Sequence, residues 1–240
     1  MELEAATPPA RDTTVSKESR RRAAIEIAVG YFLILSVVWT PRPLQRFLWI
    51  VAAAGIAIII WRSFEGFKPM GFTTANFGRA LWIVGVAAAA ATIAIAIAAR
   101  LHTLRVPPGG LIGFIATYIA YAIWTGVQQF LLQGFFWLRL QRLMTAKTAA
   151  LVAAALFAAA HLPNPVLTPI TLLWGIAACL LFSRYRNIYP LILAHAILGI
   201  TVAIAIPGPA DHNMRVGIGY LTYNPRAHLH PHGLFRSKQP

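Results

Sequence analysis

Seven apolar segments, at about 23–40, 44–61, 78–99, 111–143, 147–161, 165–183 and 188–206, take up most of this chain. A spanning helix needs roughly 20 apolar residues, and several segments approach that length. In hydrocarbon every backbone N–H and C=O must be satisfied within the segment, so such runs are helical. The expected fold is an all-α, polytopic transmembrane helix bundle of about seven spans, with eight as the alternative. Composition agrees: the 240 residues are 58% hydrophobic and 12% charged, whereas soluble domains carry about 25% charge.

One membrane domain, 23–206, is expected between two polar ends. Residues 1–22 end in Arg20-Arg21-Arg22 and read as a disordered basic tail, too polar for a signal peptide. Residues 207–240 form a His-, Pro- and Gly-rich segment. The net charge of +14 would point to nucleic acid in a soluble protein. Here the cations sit in the N-terminal segment and at helix ends, so membrane topology explains them and no nucleic-acid partner is expected. With seven spans and the N-terminus inside, 13 Lys and Arg fall inside, 4 in the outer loops and 4 in the C-terminal tail. The loops favour a cytoplasmic N-terminus, while the tail weakens the case for an odd number of spans. The expected location is a prokaryotic plasma membrane, in contact with its lipid.

From Glu65 to Asp211 there is no acidic residue between the two. Within that stretch polar residues still interrupt the apolar helices, and such residues are site candidates because lipid offers them no partner. On the fourth segment Tyr118, Tyr121, Thr125, Gln128, Gln129 and Gln133 fall within about 140° at 100° per residue. The stripe is either interhelical glue or the wall of a cavity. His161 closes the fifth segment one turn after Phe157, just before Pro163-Asn164-Pro165. It reads either as a helix-end cap or as a site residue. His195 lies well inside the last segment, where a neutral imidazole serves as a metal ligand, a base or a hydrogen-bond bridge.

Taken in order, these residues resemble the motifs of the CPBP family. Its members are intramembrane endopeptidases, including CAAX prenyl proteases and bacteriocin-processing proteins. The family's Glu-Glu-x-x-x-Arg-Gly is met as Gln128-Gln129-Phe130-Leu131-Leu132-Gln133-Gly134. Its Phe-x-x-x-His is met as Phe157 to His161, and its His-x-x-x-Asn or Asp as His195 to Gly199. The resemblance covers roughly 66–200, with Lys68-Pro69-Met70-Gly71-Phe72 leading in. It implies a CPBP-like core and catalytic positions at His161, His195, Gln128 and Gln129. Substrate-binding residues are expected at Gln133, Tyr118, Tyr121, Thr125, Phe157 and Asn164.

The departures shape the chemistry. Gln cannot take a proton from water as a glutamate would, so hydrolysis by general base at these positions is implausible. The Arg position is neutral as well, which avoids an unpaired buried cation. Asp211 and His212 are the acid–base pair that a folded-back C-terminal segment would supply. The alternative for that segment is a loose tail. A metal is disfavoured, because two histidines fall short of the usual three or four donors, and the single cysteine, Cys179, makes no cluster.

The first expectation is therefore a diverged membrane enzyme acting on a prenylated peptide or isoprenoid-like lipid through its histidines. The second is a catalytically silent binding or regulatory protein. A transporter is disfavoured by the lack of intramembrane charge and of a two-half repeat.

Overall fold

The computed structural model describes residues 16–105 and 110–224. Among these there are helices and no strands: α1 Lys17–Trp39, α2 Leu44–Arg62, α3 Phe77–Arg100, α4 Gly110–Gln129, an eight-residue π-helix Phe130–Trp137, α5 Leu138–Leu140, α6 Ala146–Ala159, α7 Leu167–Tyr185, α8 Tyr189–Ala205, α9 Gly208–Asp211 and α10 Gly217–Leu221. Counting α4 to α5 as one continuous rod, the main helices coincide with the seven apolar segments. Four of them, α1, α2, α3 and α7, are long and apolar enough to cross a membrane; α6 and α8 are shorter apolar helices.

Local chemistry sets the boundaries. α1 begins at Lys17, earlier than the apolar pattern alone indicates, because the Ser16 hydroxyl accepts from Ser19 N at 3.1 Å. The rest of the expected basic tail, residues 1–15, lies outside the described residues. Thr145 caps α6 in the same way, accepting from Thr148 N at 3.3 Å. Asn187 organises the start of α8. Its Oδ1 accepts from Tyr189 N, and its Nδ2 donates to the Thr73 and Ala75 carbonyls at 2.7 and 2.9 Å. Gly71 lies beside it at φ +88, a conformation that disfavours any side chain. Its carbonyl accepts from Ile188 N at 3.0 Å, which ties the 66–73 connection to the core.

Small residues set the packing. Ala149, Ala150, Ala153 and Ala154 of α6 are buried, and Gly175 of α7 brings that helix against Ala154. α3 lays Ala80, Ile83, Ala87 and Ala91 along its buried face and packs on α8. This is the close backbone approach that small residues allow without a hydrophobic drive between helices. Large apolar side chains meanwhile point outward, with Phe32 and Leu173 each 70% and Trp61 79% exposed. So continuous an apolar exterior suits lipid rather than water.

α2 stands apart. It packs extensively on α1 alone and buries only Ala52 and Ile56. The space between α2 and the rod from α4 is bridged by Trp49 and Trp124, whose rings meet edge-on at 5.1 Å.

Candidate functional site

The π-helix is the first device of the site. Its i→i+5 bonding, seen in Leu138 N bonding the Gln133 carbonyl, widens the turn. Gln133, the one stripe residue within the π-helix, therefore departs from the 100° progression that holds through α4. Gln128 faces a cavity of about 570 Å³. Gln129 turns toward α7, where its Oε1 accepts from the Trp174 indole at 3.1 Å. Gln133 is fully buried, and neither of its amide atoms has a hydrogen-bond partner among the described residues. Thr125 is buried and satisfied by the Ala122 carbonyl at 2.8 Å. Tyr118 packs on Phe114 at 4.6 Å. Thr125, Gln129, Gln133 and Tyr118 do not line the cavity.

Tyr121, Gln128, Phe157, His161 and His195 do line it. α6 delivers Phe157, the turn that follows it delivers His161, and α8 delivers His195. Both imidazoles pack on the Phe157 ring, at 4.8 and 6.0 Å, and His195 also meets Trp174 at 5.8 Å. His161 Nδ1 lies 2.7 Å from the Phe157 carbonyl. A carbonyl only accepts, so Nδ1 carries the proton, and in the neutral ring Nε2 keeps its lone pair. His195 Nδ1 is buried without a partner among the described residues. A buried lone pair is easier to leave unmet than a buried N–H, so we assign the His195 proton to Nε2. Gly199, one turn after His195, is where the Tyr121 hydroxyl sits against the backbone, and any side chain there would collide with it.

The remaining candidates build a C-terminal strap. Asn164 Oδ1 accepts from Val166 and Leu167 N, starting α7, while its Nδ2 donates to the Asp211 and Arg215 carbonyls at 2.7 and 3.0 Å. Gly217 N donates to the Leu162 carbonyl at 2.7 Å. Residues 207–224 are thus folded against the bundle, and Met214 and Val216 close part of the cavity wall. The strap does not bring Asp211 or His212 into the cavity. Asp211 is buried; its Oδ1 accepts from Asn213 N at 2.9 Å, and its Oδ2 lies 3.9 Å from Arg105. Burial pushes the Asp211 carboxyl above the ordinary value, partly offset by the Arg105 guanidinium. His212 is stacked between Tyr220 and Tyr223, at 3.9 and 4.7 Å.

The motifs gave no sign of Trp174 or of the α1–α2 wall. A lone tryptophan two turns into an apolar helix looks like any core aromatic, and its hydrogen bond to Gln129 is visible only in three dimensions. Among the described residues no three His, Cys, Asp or Glu side chains gather as a metal site would require.

An all-helical bundle with an apolar exterior and an apolar cavity holding two histidines describes an integral membrane protein. Residues 115–201 match the family model described as Rce1-like, type II CAAX prenyl endopeptidase Rce1-like, which bears out the resemblance read from the motifs. The matched stretch holds Gln128 to Gly134, Phe157 to His161 and His195 to Gly199. No curated protein and no solved structure matches the chain.

Proposed function

We propose that this is a diverged CAAX-protease-like membrane enzyme. It takes a prenyl or isoprenoid-like chain into the cavity and presents the polar end of that chain to His161 and His195. Seven helices cross the membrane in this reading, with the N-terminus on the cytoplasmic side. The observation that carries the proposal is the meeting of both motif histidines on one apolar cavity. About 570 Å³ lies within the range of small-molecule pockets, and the two rings offer complementary proton positions for acid–base work. Glutamate-activated water has no place in this scheme: the family's Glu positions are Gln128 and Gln129, and Gln129 turns to Trp174.

A second reading has its own support. Asp211 is engaged with Asn213 and Arg105 rather than with the cavity, so the acid that hydrolysis needs is not at hand. On this reading the protein binds the lipid or prenylated partner without turning it over. Full-length protein in nanodiscs, given a farnesylated peptide and a farnesyl lipid, separates the two. Turnover that is lost in His195→Ala supports the enzyme. Saturable binding without turnover supports the silent partner. Absence of both binding and turnover contradicts either reading.

A further inference from the structure

We infer that the cavity takes a prenyl chain whose polar end is uncharged, a hydroxyl or an ester, and rejects a carboxylate or diphosphate end. The inference rests on the proposed occupancy by a prenyl or isoprenoid-like chain and adds the chemistry of its head.

The wall carries no charge. Among the described residues that line the cavity there is no Lys, Arg, Asp or Glu. Two cations elsewhere in the bundle are already committed. Arg139 bonds Glu26 at 2.7 Å and Ser63 at 2.6 Å, and Arg105 bonds the Ala203 carbonyl and the Asn213 side chain. An anion entering such a cavity gives up its hydration and gains no counter-charge, the most costly kind of polar burial.

Part of the polar lining is satisfied by backbone. The Tyr31 hydroxyl donates to the Leu156 carbonyl at 3.1 Å, the Gln45 amide to the Val37 carbonyl at 2.9 Å, and Thr171 to the Leu167 carbonyl at 2.7 Å. The groups left for a ligand are Tyr121, Gln128, His161 and His195. The proton positions derived above make His161 Nε2 an acceptor and His195 Nε2–H a donor. A hydroxyl needs one of each. An ester carbonyl needs only the donor. A carboxylate, like the ester, can use the donors, but it brings a full charge that no lining residue offsets. The site therefore discriminates against an anionic head by stripping its water without supplying a counter-charge.

Three tryptophans, Trp49, Trp124 and Trp174, line the cavity, so binding is readable as quenching of intrinsic fluorescence. The test uses the full chain in zwitterionic nanodiscs, with ligands compared at equal membrane concentration. S-farnesyl-N-acetylcysteine and its methyl ester differ only in the charge of the head; farnesol and farnesyl diphosphate form a second pair. The expected result is at least tenfold tighter binding of the ester than of the acid, and of the alcohol than of the diphosphate. Equal or tighter binding of the acid would mean that the imidazoles charge to hold anions, and would overturn the inference while leaving the prenyl cavity standing. If none of the four ligands binds, the prenyl reading itself fails.

Discussion

The Trp174 indole donates to Gln129 Oε1 across 3.1 Å, which ties the second glutamine of the altered motif to α7 without making it part of the cavity wall. An indole N–H buried in a membrane bundle requires an acceptor, and the amide supplies one without bringing in a charge. The cost is the other half of the amide: Gln129 Nε2 is buried with no partner among the described residues. The pair thus serves as structure, and it holds the tryptophan 5.8 Å from His195.

Removing the acceptor by Gln129→Leu orphans the indole N–H and should cost about 1–3 kcal/mol. Trp174→Phe should be milder when made on top of it. A double-mutant cycle of thermal stability in nanodiscs should give a coupling of about 0.5–3 kcal/mol. Additive changes would mean that the bond contributes nothing.

Glu26 and Arg139 should respond unequally. Arg139 is buried, and Glu26 is its sole acidic hydrogen-bond partner, whereas Glu26 also bonds the half-exposed Arg22 at 2.9 Å. Glu26→Gln leaves a buried cation uncompensated and should cost about 3–5 kcal/mol. Arg139→Met leaves Glu26 paired with Arg22 and should cost clearly less. Melting curves of the two variants check the order, and equal losses would contradict the asymmetry.

Asp211 predicts a pH dependence in the acid range. Its folded-state carboxyl titrates above the ordinary value because of burial, so the folded protein holds that proton more tightly than the unfolded chain. Its contribution to stability is therefore fully present below the unfolded value, near 3.9, and is lost as pH rises through the raised folded value. Wild type minus Asp211→Asn should show a melting-temperature difference that falls across that window. A difference independent of pH would refute the assignment.

Trp49 and Trp124 bridge α2 and α4 at 5.1 Å, beside a helix that otherwise leans on α1 alone. An aromatic pair of this kind is worth about 0.5–1.5 kcal/mol. If lipid enters between these helices, Trp124→Ala should speed farnesol exchange by about two- to twelvefold, the same energy expressed as a rate. Stopped-flow quenching of the remaining tryptophans measures it. Unchanged rates would place the portal elsewhere.

The helices were legible because apolar run length and backbone satisfaction leave few alternatives in lipid. The positions of His161 and His195 were legible because they fall at motif spacings on separate helices. The fate of the glutamine stripe was not: the π-helix breaks the 100° step at Gln133, and Gln129 is settled by Trp174, a residue of another helix. Nor was the acid-free stretch the whole electrostatic story. Glu26 comes from α1, outside that stretch, to meet Arg139, a pairing 113 residues apart that no local pattern signals. The strap was open in sequence between tail and lid. It folds through the Asn164 amide and the Gly217 N–H, yet Asp211 turns to Arg105 instead of to the cavity.

The most direct measurement is photo-crosslinking with a diazirine-bearing farnesyl alcohol on the full chain in nanodiscs, with labelled sites mapped by mass spectrometry. Label is expected on cavity residues such as Gln128, Phe157 and His195, abolished by excess geranylgeraniol. Label confined to outward residues such as Phe32, Trp61 and Leu173, and unaffected by the competitor, would contradict it.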